Sequence, residues 1–166
     1  MNLQCTKKAL KLLKIKELNH TFVLENVKDI NNWHCNIIEH DDGNSLLITN
    51  DKTLFSFFFL NIEDYEIEEL DFVLRERIFK MMLNLDFPQK EFEVILNNIE
   101  NITYTKSSNR SVLASMTHII LEIEYYLYER NESELDINIK INNTPHKKLE
   151  YSKAMKVFRL LLQNKA

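Results

Sequence analysis

Gly43 is the only glycine in the chain, and Pro88 and Pro145 are its only prolines. This scarcity constrains the fold more than any other feature. Few turns can use a residue that takes positive φ without strain, so Asn and Asp must serve there. The pairs Asn31-Asn32, Asn97-Asn98 and Asn142-Asn143 are read as such turns. Glycine-rich phosphate loops and the strained nucleophile elbow cannot be built in their usual form. The standard Rossmann, P-loop and α/β-hydrolase readings are therefore excluded.

The 166 residues suffice for one domain with a real core and are too few for two, so residues 1–166 are read as a single domain. A hydrophobic share of 45% argues against disorder. Net charge is −4, which excludes a basic coat for nucleic acid. The charge is unevenly placed. Lys7, Lys8, Lys11, Lys14 and Lys16 precede the first acid, and Lys147, Lys148, Lys153, Lys156, Arg159 and Lys165 cluster near the other end. Glu63, Asp64, Glu66, Glu68, Glu69 and Asp71 form an acidic block between them. These are solvated helix faces, or the basic ends meet in space and form a patch for an anionic partner. Cys5 and Cys35 lack any CxxC spacing and read as ordinary thiols of a reducing cytosol. No signal peptide is read, and no apolar run approaches the ~20 residues of a membrane span. The expected location is the cytoplasm.

Periodicity predicts an α+β fold, a mainly antiparallel sheet packed by about five helices. Residues 2–5 could form an edge strand, with Thr6 capping a helix from about Lys7 to Leu18. From Trp33 the period becomes two. "WHCNIIEH", "SLLITN" and "TLFSFFFL" form a meander over about 33–60, with a hairpin at Asp42-Gly43. Both faces of the third strand are apolar, which places it centrally. Helices follow over about 70–85, from Pro88 to Ile99, and from Arg110 to Tyr128. Strands are expected near 100–105 and at 134–142, where Leu135, Ile137, Ile139 and Ile141 alternate. A last helix carries Ala154, Val157, Phe158 and Leu161 on one face.

Chemistry is sparse. His20, His34, His40, His118 and His146 show no ligand spacing, so neither a metal nor a cofactor is implied. The richest stretch is "TKSSNRSVLASMTHII", Thr105 to Ile120. Ser111, Ser115, His118 and Glu122 would share one helix face, which invites a triad reading, but residues along one face point parallel rather than converging. Amides at the helix start, helped by Lys106, Ser107, Ser108 and Arg110, could hold a phosphate or carboxylate. Ser108 or Asn109 could instead simply cap the helix. Tyr125, Tyr126 and Tyr128 flank acids and suit a protein contact better than a phosphate backbone.

"CTKK" entering a helix, Trp33 before a strand, "LLITNDKTLFSF", "TKSSNRSVLASM" and "INNTP" together resemble a prokaryotic family that carries a domain-of-unknown-function label. The resemblance spans nearly the whole chain, and "NRSVLASM" is its most specific part. It implies a single-domain bacterial, archaeal or phage protein, and no activity. Thr6, Lys7, Trp33, Asn50, Thr53, Arg110, Ser111, Asn143, Thr144 and Pro145 match the pattern, without roles.

The expected function is binding of another protein, as an accessory, regulatory or inhibitory component of a mobile-element or phage-defence system, rather than catalysis. The alternative is recognition of phosphate in a nucleic acid or nucleotide at the Lys106/Arg110 helix start. Candidate binding residues are Thr6, Lys7, Trp33, Lys106, Arg110, Ser111, Ser115, His118 and Thr144.

Overall fold

The computed structural model describes residues 1–19, 29–41, 43–99 and 101–164. His20, Asp42 and Lys165, named above, lie outside the described residues.

The sheet has five strands: β1 (Asn2–Cys5), β2 (Asn32–His40), β3 (Gly43–Asn50), β4 (Ser56–Phe59) and β5 (Thr103–Lys106). Their order is β4-β3-β2-β1-β5. β2, β3 and β4 form the expected antiparallel meander, paired down to His40 opposite Gly43. β1 is inserted parallel between β2 and β5, with Cys5 opposite both Cys35 and Lys106. The N-terminal strand is thus interior, not an edge. The true edges are β5 and β4, so "TLFSFFFL" is not central. Its two apolar faces report two covered faces, not two strand neighbours.

The helices are α1 (Lys7–Leu12), α2 (Asp64–Glu68), α3 (Leu70–Asn84), α4 (Gln89–Ile99), α5 (Arg110–Glu124), α6 (Glu134–Asn143) and α7 (Ala154–Gln163). A π-helical turn over Tyr125–Glu129 extends α5, as the expected limit at Tyr128 required. α1 stops well short of Leu18, because Leu13 closes it and Lys14 turns left-handed at φ 52°. Of the three Asn-Asn pairs only Asn31-Asn32 sits at a turn. The pairs at 97–98 and 142–143 lie inside α4 and α6. Positive φ falls instead on Asn61, Asp86 and Asn131, and on Lys14, Leu54, Glu150 and Tyr151.

The expected strand at 134–142 is a helix, α6, and the reason is specific. Ser133 caps it, accepting from Asp136 N at 3.2 Å. Ile137 and Ile141, four apart, enter the core, while Ile139 is exposed. Asn138 and Asn142 also face inward, fully buried, and grip the free edge of β4. Asn138 Oδ1 accepts from Phe58 N at 2.9 Å, and its Nδ2 donates to Phe58 O at 2.8 Å. Asn142 makes the same pair with Ser56, at 2.8 and 2.7 Å. Glu134 Oε2 accepts from Leu60 N at 2.7 Å. Four helical residues rise roughly 6 Å and two strand residues roughly 6.7 Å, so every fourth side chain meets every second peptide. The helix serves as a sixth strand, and β4 presents no bare edge.

One sheet face carries Trp33, Cys35, Ile48 and Phe57 against α1, α3, α4 and α7. The other carries Ile38, Leu47 and Phe58 against α5 and α6. A short hairpin, β6 (Pro145–His146) with β7 (Ser152–Lys153), joins α6 to α7.

Candidate functional site

Asn109 is the cap of α5: its Oδ1 accepts from Ser111 N at 3.1 Å and Val112 N at 3.3 Å. Two of the free amides at this helix start are therefore already bonded, and the anion reading loses part of its donor set. Ser115 Oγ donates back to Ser111 O at 3.1 Å within the helix. Thr6 caps α1, accepting from Ala9 N at 3.2 Å while its hydroxyl donates to Asn36 Oδ1 at 2.9 Å. Since Cys5 and Lys106 are register partners, Thr6, Lys7, Lys106, Arg110 and Ser111 gather at the carboxyl end of β1 and β5. The side chains of Lys7, Lys106 and Arg110 are exposed there. Trp33 is elsewhere, wholly in the core, its Nε1 donating to Ile30 O at 2.7 Å.

A second group forms about three helical turns away. Thr144 Oγ1 donates to Glu122 Oε2 at 3.0 Å. Glu122 is twelve residues along α5 from Arg110, roughly 18 Å by helical rise, so Thr144 and Arg110 do not share a site. β6 and the turn after it lie beside α5 and leave a cleft of about 290 Å³. Ser115, His118 and Glu122 line one wall, and Pro145, His146, Lys147 and Lys148 the other. Burial holds the pKa of His146 below the ordinary histidine value, Glu122 opposing this and His118 adding to it.

Beneath the cleft runs a buried polar row that no sequence spacing reveals, because only strand register assembles it. Gln4, His34 and Thr49 are consecutive partners across β1, β2 and β3, and Thr49 bonds Ser56 of β4 at 2.8 Å. Asp51 ties the row down. Its Oδ1 lies 2.6 Å from His34 Nδ1, and its Oδ2 accepts from Gln4 Nε2 at 2.9 Å. Lys148 Nζ lies 3.5 Å from Asp51 O, which links the row to the cleft. The Asp51 carboxylate only accepts, so Nδ1 carries the proton of that bond. Among the described residues, no group of three His, Cys, Asp or Glu side chains is placed to hold a metal.

A larger concavity than this cleft lies elsewhere among the described residues. It is a groove of about 910 Å³ along α2 and α3, with Glu134 at one end. Tyr65 and Phe72 line it at 72% and 64% exposure. Five glutamates face it, against Arg77 and Lys80. Arg77 sits 3.7 Å from Glu66 and 3.8 Å from Glu134, and Lys80 pairs Glu76 at 2.8 Å. Glu68 and Glu69 have no ion pair among the described residues, so the groove is acidic. Phe72, Glu76, Phe79 and Leu83 form a stripe at helical spacing on the outer side of α3, whose inner side is already core. A shallower apolar hollow between Phe72, Phe79 and Leu96 continues it.

A family model described as a domain of unknown function, DUF6933, matches residues 2–157. The chain belongs to the DUF6933 family. No match was found among curated proteins or among solved structures. The matched span of this DUF6933 chain takes in the sheet, the cleft up to Lys148 and the whole acidic groove. Among its described residues no helix is long and apolar enough to cross a membrane.

Proposed function

We propose that the protein is a cytoplasmic accessory or regulatory component that seats a basic, amphipathic segment of a partner protein in the α2–α3 groove. The observation that carries this reading is the exposed aromatic stripe beside carboxylates that form no ion pair among the described residues. Phe72, Phe79 and Leu83 stand among charged residues on the outer side of α3, and an exposed apolar patch rimmed by polar residues marks an interaction surface. Fully burying an exposed Phe is worth about 1.5–3 kcal/mol, and Phe72, with Tyr65 beside it, has most of that to gain, whereas Phe79, already edge-on against Phe92, adds less. Glu68 and Glu69 select the occupant by charge: Arg forks onto carboxylates bidentately and stacks on aromatic faces. The same charge repels a phosphate backbone, so nucleic acid is disfavoured in this groove.

The test uses two labelled peptides followed by anisotropy. One is an amphipathic helix with Lys and Arg on its polar face, the other the same helix with Glu in their place. Only the basic peptide should bind. Phe72→Ala with Phe79→Ala should weaken it at least about tenfold, or ~1.4 kcal/mol. Glu68→Lys with Glu69→Lys should act mainly on the association rate and its salt dependence. Equal binding of both peptides, or indifference to both double variants in folded protein, would sink the reading.

A further inference from the structure

We propose that the cleft between α5 and the Pro145–Lys148 segment is a binding site for a small dianion of the phosphate type. The space, about 290 Å³, is roughly that of ten liquid waters, enough for a phosphate group and part of what bears it.

The lining sets two lysines and two histidines against one carboxylate. Lys147 and Lys148 face the cleft and form no salt bridge among the described residues. Glu122, the one acid of the lining, already accepts from Thr144 Oγ1 at 3.0 Å. His118 stands one helical turn from Glu122 on the same wall.

His146 supplies the second observation. Its Nε2 is buried and has no hydrogen-bond partner among the described residues. The backbone of Ile141 raises the pKa of the ring, in the same sense as Glu122. A buried nitrogen left unpaired destabilises the fold, and such atoms persist where something else completes them. Once protonated, Nε2–H donates, and the acceptor it lacks is what an anion oxygen provides. Within the protein, protonation is opposed by burial and by His118, and favoured by Glu122. A dianion between His146, His118 and the two lysines reverses that balance. Burial also lowers the pKa of Lys148 and Asp51 raises it, and an anion in the cleft would act in the same sense as Asp51. Binding and protonation are thus linked, and the cleft holds its ligand more tightly in mild acid.

Sulfate separates the protein's titration from the ligand's, because its charge is constant over this range. Titrated by calorimetry, it should bind about fivefold or more tightly near pH 6 than near pH 8, with the ring signals of His146 and His118 shifting on saturation. Inorganic phosphate should compete for the same site. His146→Gln and the Lys147→Met/Lys148→Met pair should each weaken sulfate binding about tenfold or more. Lys153→Met, outside the cleft, and Arg110→Ala, at the far end of α5, should leave it unchanged. Both thermal unfolding and the sulfate titration are read for every variant, so a misfolded protein is recognised. No saturable binding up to about 20 mM overturns the proposal, as does binding lost with Arg110→Ala but kept in the cleft variants.

Discussion

Replacing Asn142 by leucine should destabilise the protein by about 2–5 kcal/mol, although leucine is similar in size and apolar. The buried amide of Asn142 satisfies both the N–H and the C=O of Ser56 on β4. Leucine leaves both groups buried and unpaired, at about 1–3 kcal/mol each, and returns only a fraction of that as apolar burial. For a chain of this length a loss of about 3 kcal/mol lowers the melting temperature by roughly 6–12 °C. Asn143→Leu is the control, since the Asn143 amide donates only to Ile139 O within its own helix at 2.8 Å. It should change stability by less than about 0.5 kcal/mol. Asn138→Leu should resemble Asn142→Leu. The double variant should also self-associate through the uncovered edge of β4, seen as a concentration-dependent mass in ultracentrifugation. Equal melting of Asn142→Leu and Asn143→Leu would mean that the helix-to-strand ladder holds nothing together.

Trp33→Ala should be as costly, at about 3–5 kcal/mol. The indole stacks on Phe57 with centroids 5.6 Å apart and meets Phe158 edge-on at 5.7 Å. It joins the sheet to α7 at the centre of the larger core. Trp33→Phe keeps most of that contact and strands the Ile30 carbonyl, so about 1–2 kcal/mol is expected. Urea unfolding with circular dichroism checks both, because the sole tryptophan cannot report on its own removal. A Trp33→Ala protein as stable as the parent but altered in ligand binding would return Trp33 to a contact role.

Elements whose apolar periodicity is local and long were legible in the sequence. α3 and α4 repeat their core residues over several turns. The β2–β3 hairpin has its turn signal at Gly43. α5 begins where its cap residues stand. What sequence hid depends on partners far along the chain. The alternation of Leu135, Ile137, Ile139 and Ile141 looks like a strand because a helix with Ile137 and Ile141 inside can also place apolar residues between them. Of the deciding residues, Asn142 reads as part of a turn and Asn138 carries no signal, since nothing local says that a strand edge 80 residues earlier needs their amides. β1 passed for an edge because parallel pairing leaves no hairpin signature. Ser115 and His118 were legible in the cleft as one helix face. The opposite wall, His146 to Lys148, carried no motif, and His34 with Asp51 meets only through register. The acidic block over 63–71 reads as a solvated face, because its charges do not tell that Tyr65 and Phe72 stand exposed beside it.

The ladder on β4 also has a bearing on biosynthesis. The sheet is complete once β5 has been made, at Lys106, but the helix that closes its far edge ends at Asn143. Some 36 residues separate Lys106 from Asn142, which at ribosomal speeds takes roughly 2–7 s. For that interval the nascent chain can hold a finished sheet whose last strand, SFFF, has nothing beside it. A ribosome that stalls there exposes a phenylalanine-rich strand edge, and that is the stage at which a chaperone matters most to this chain.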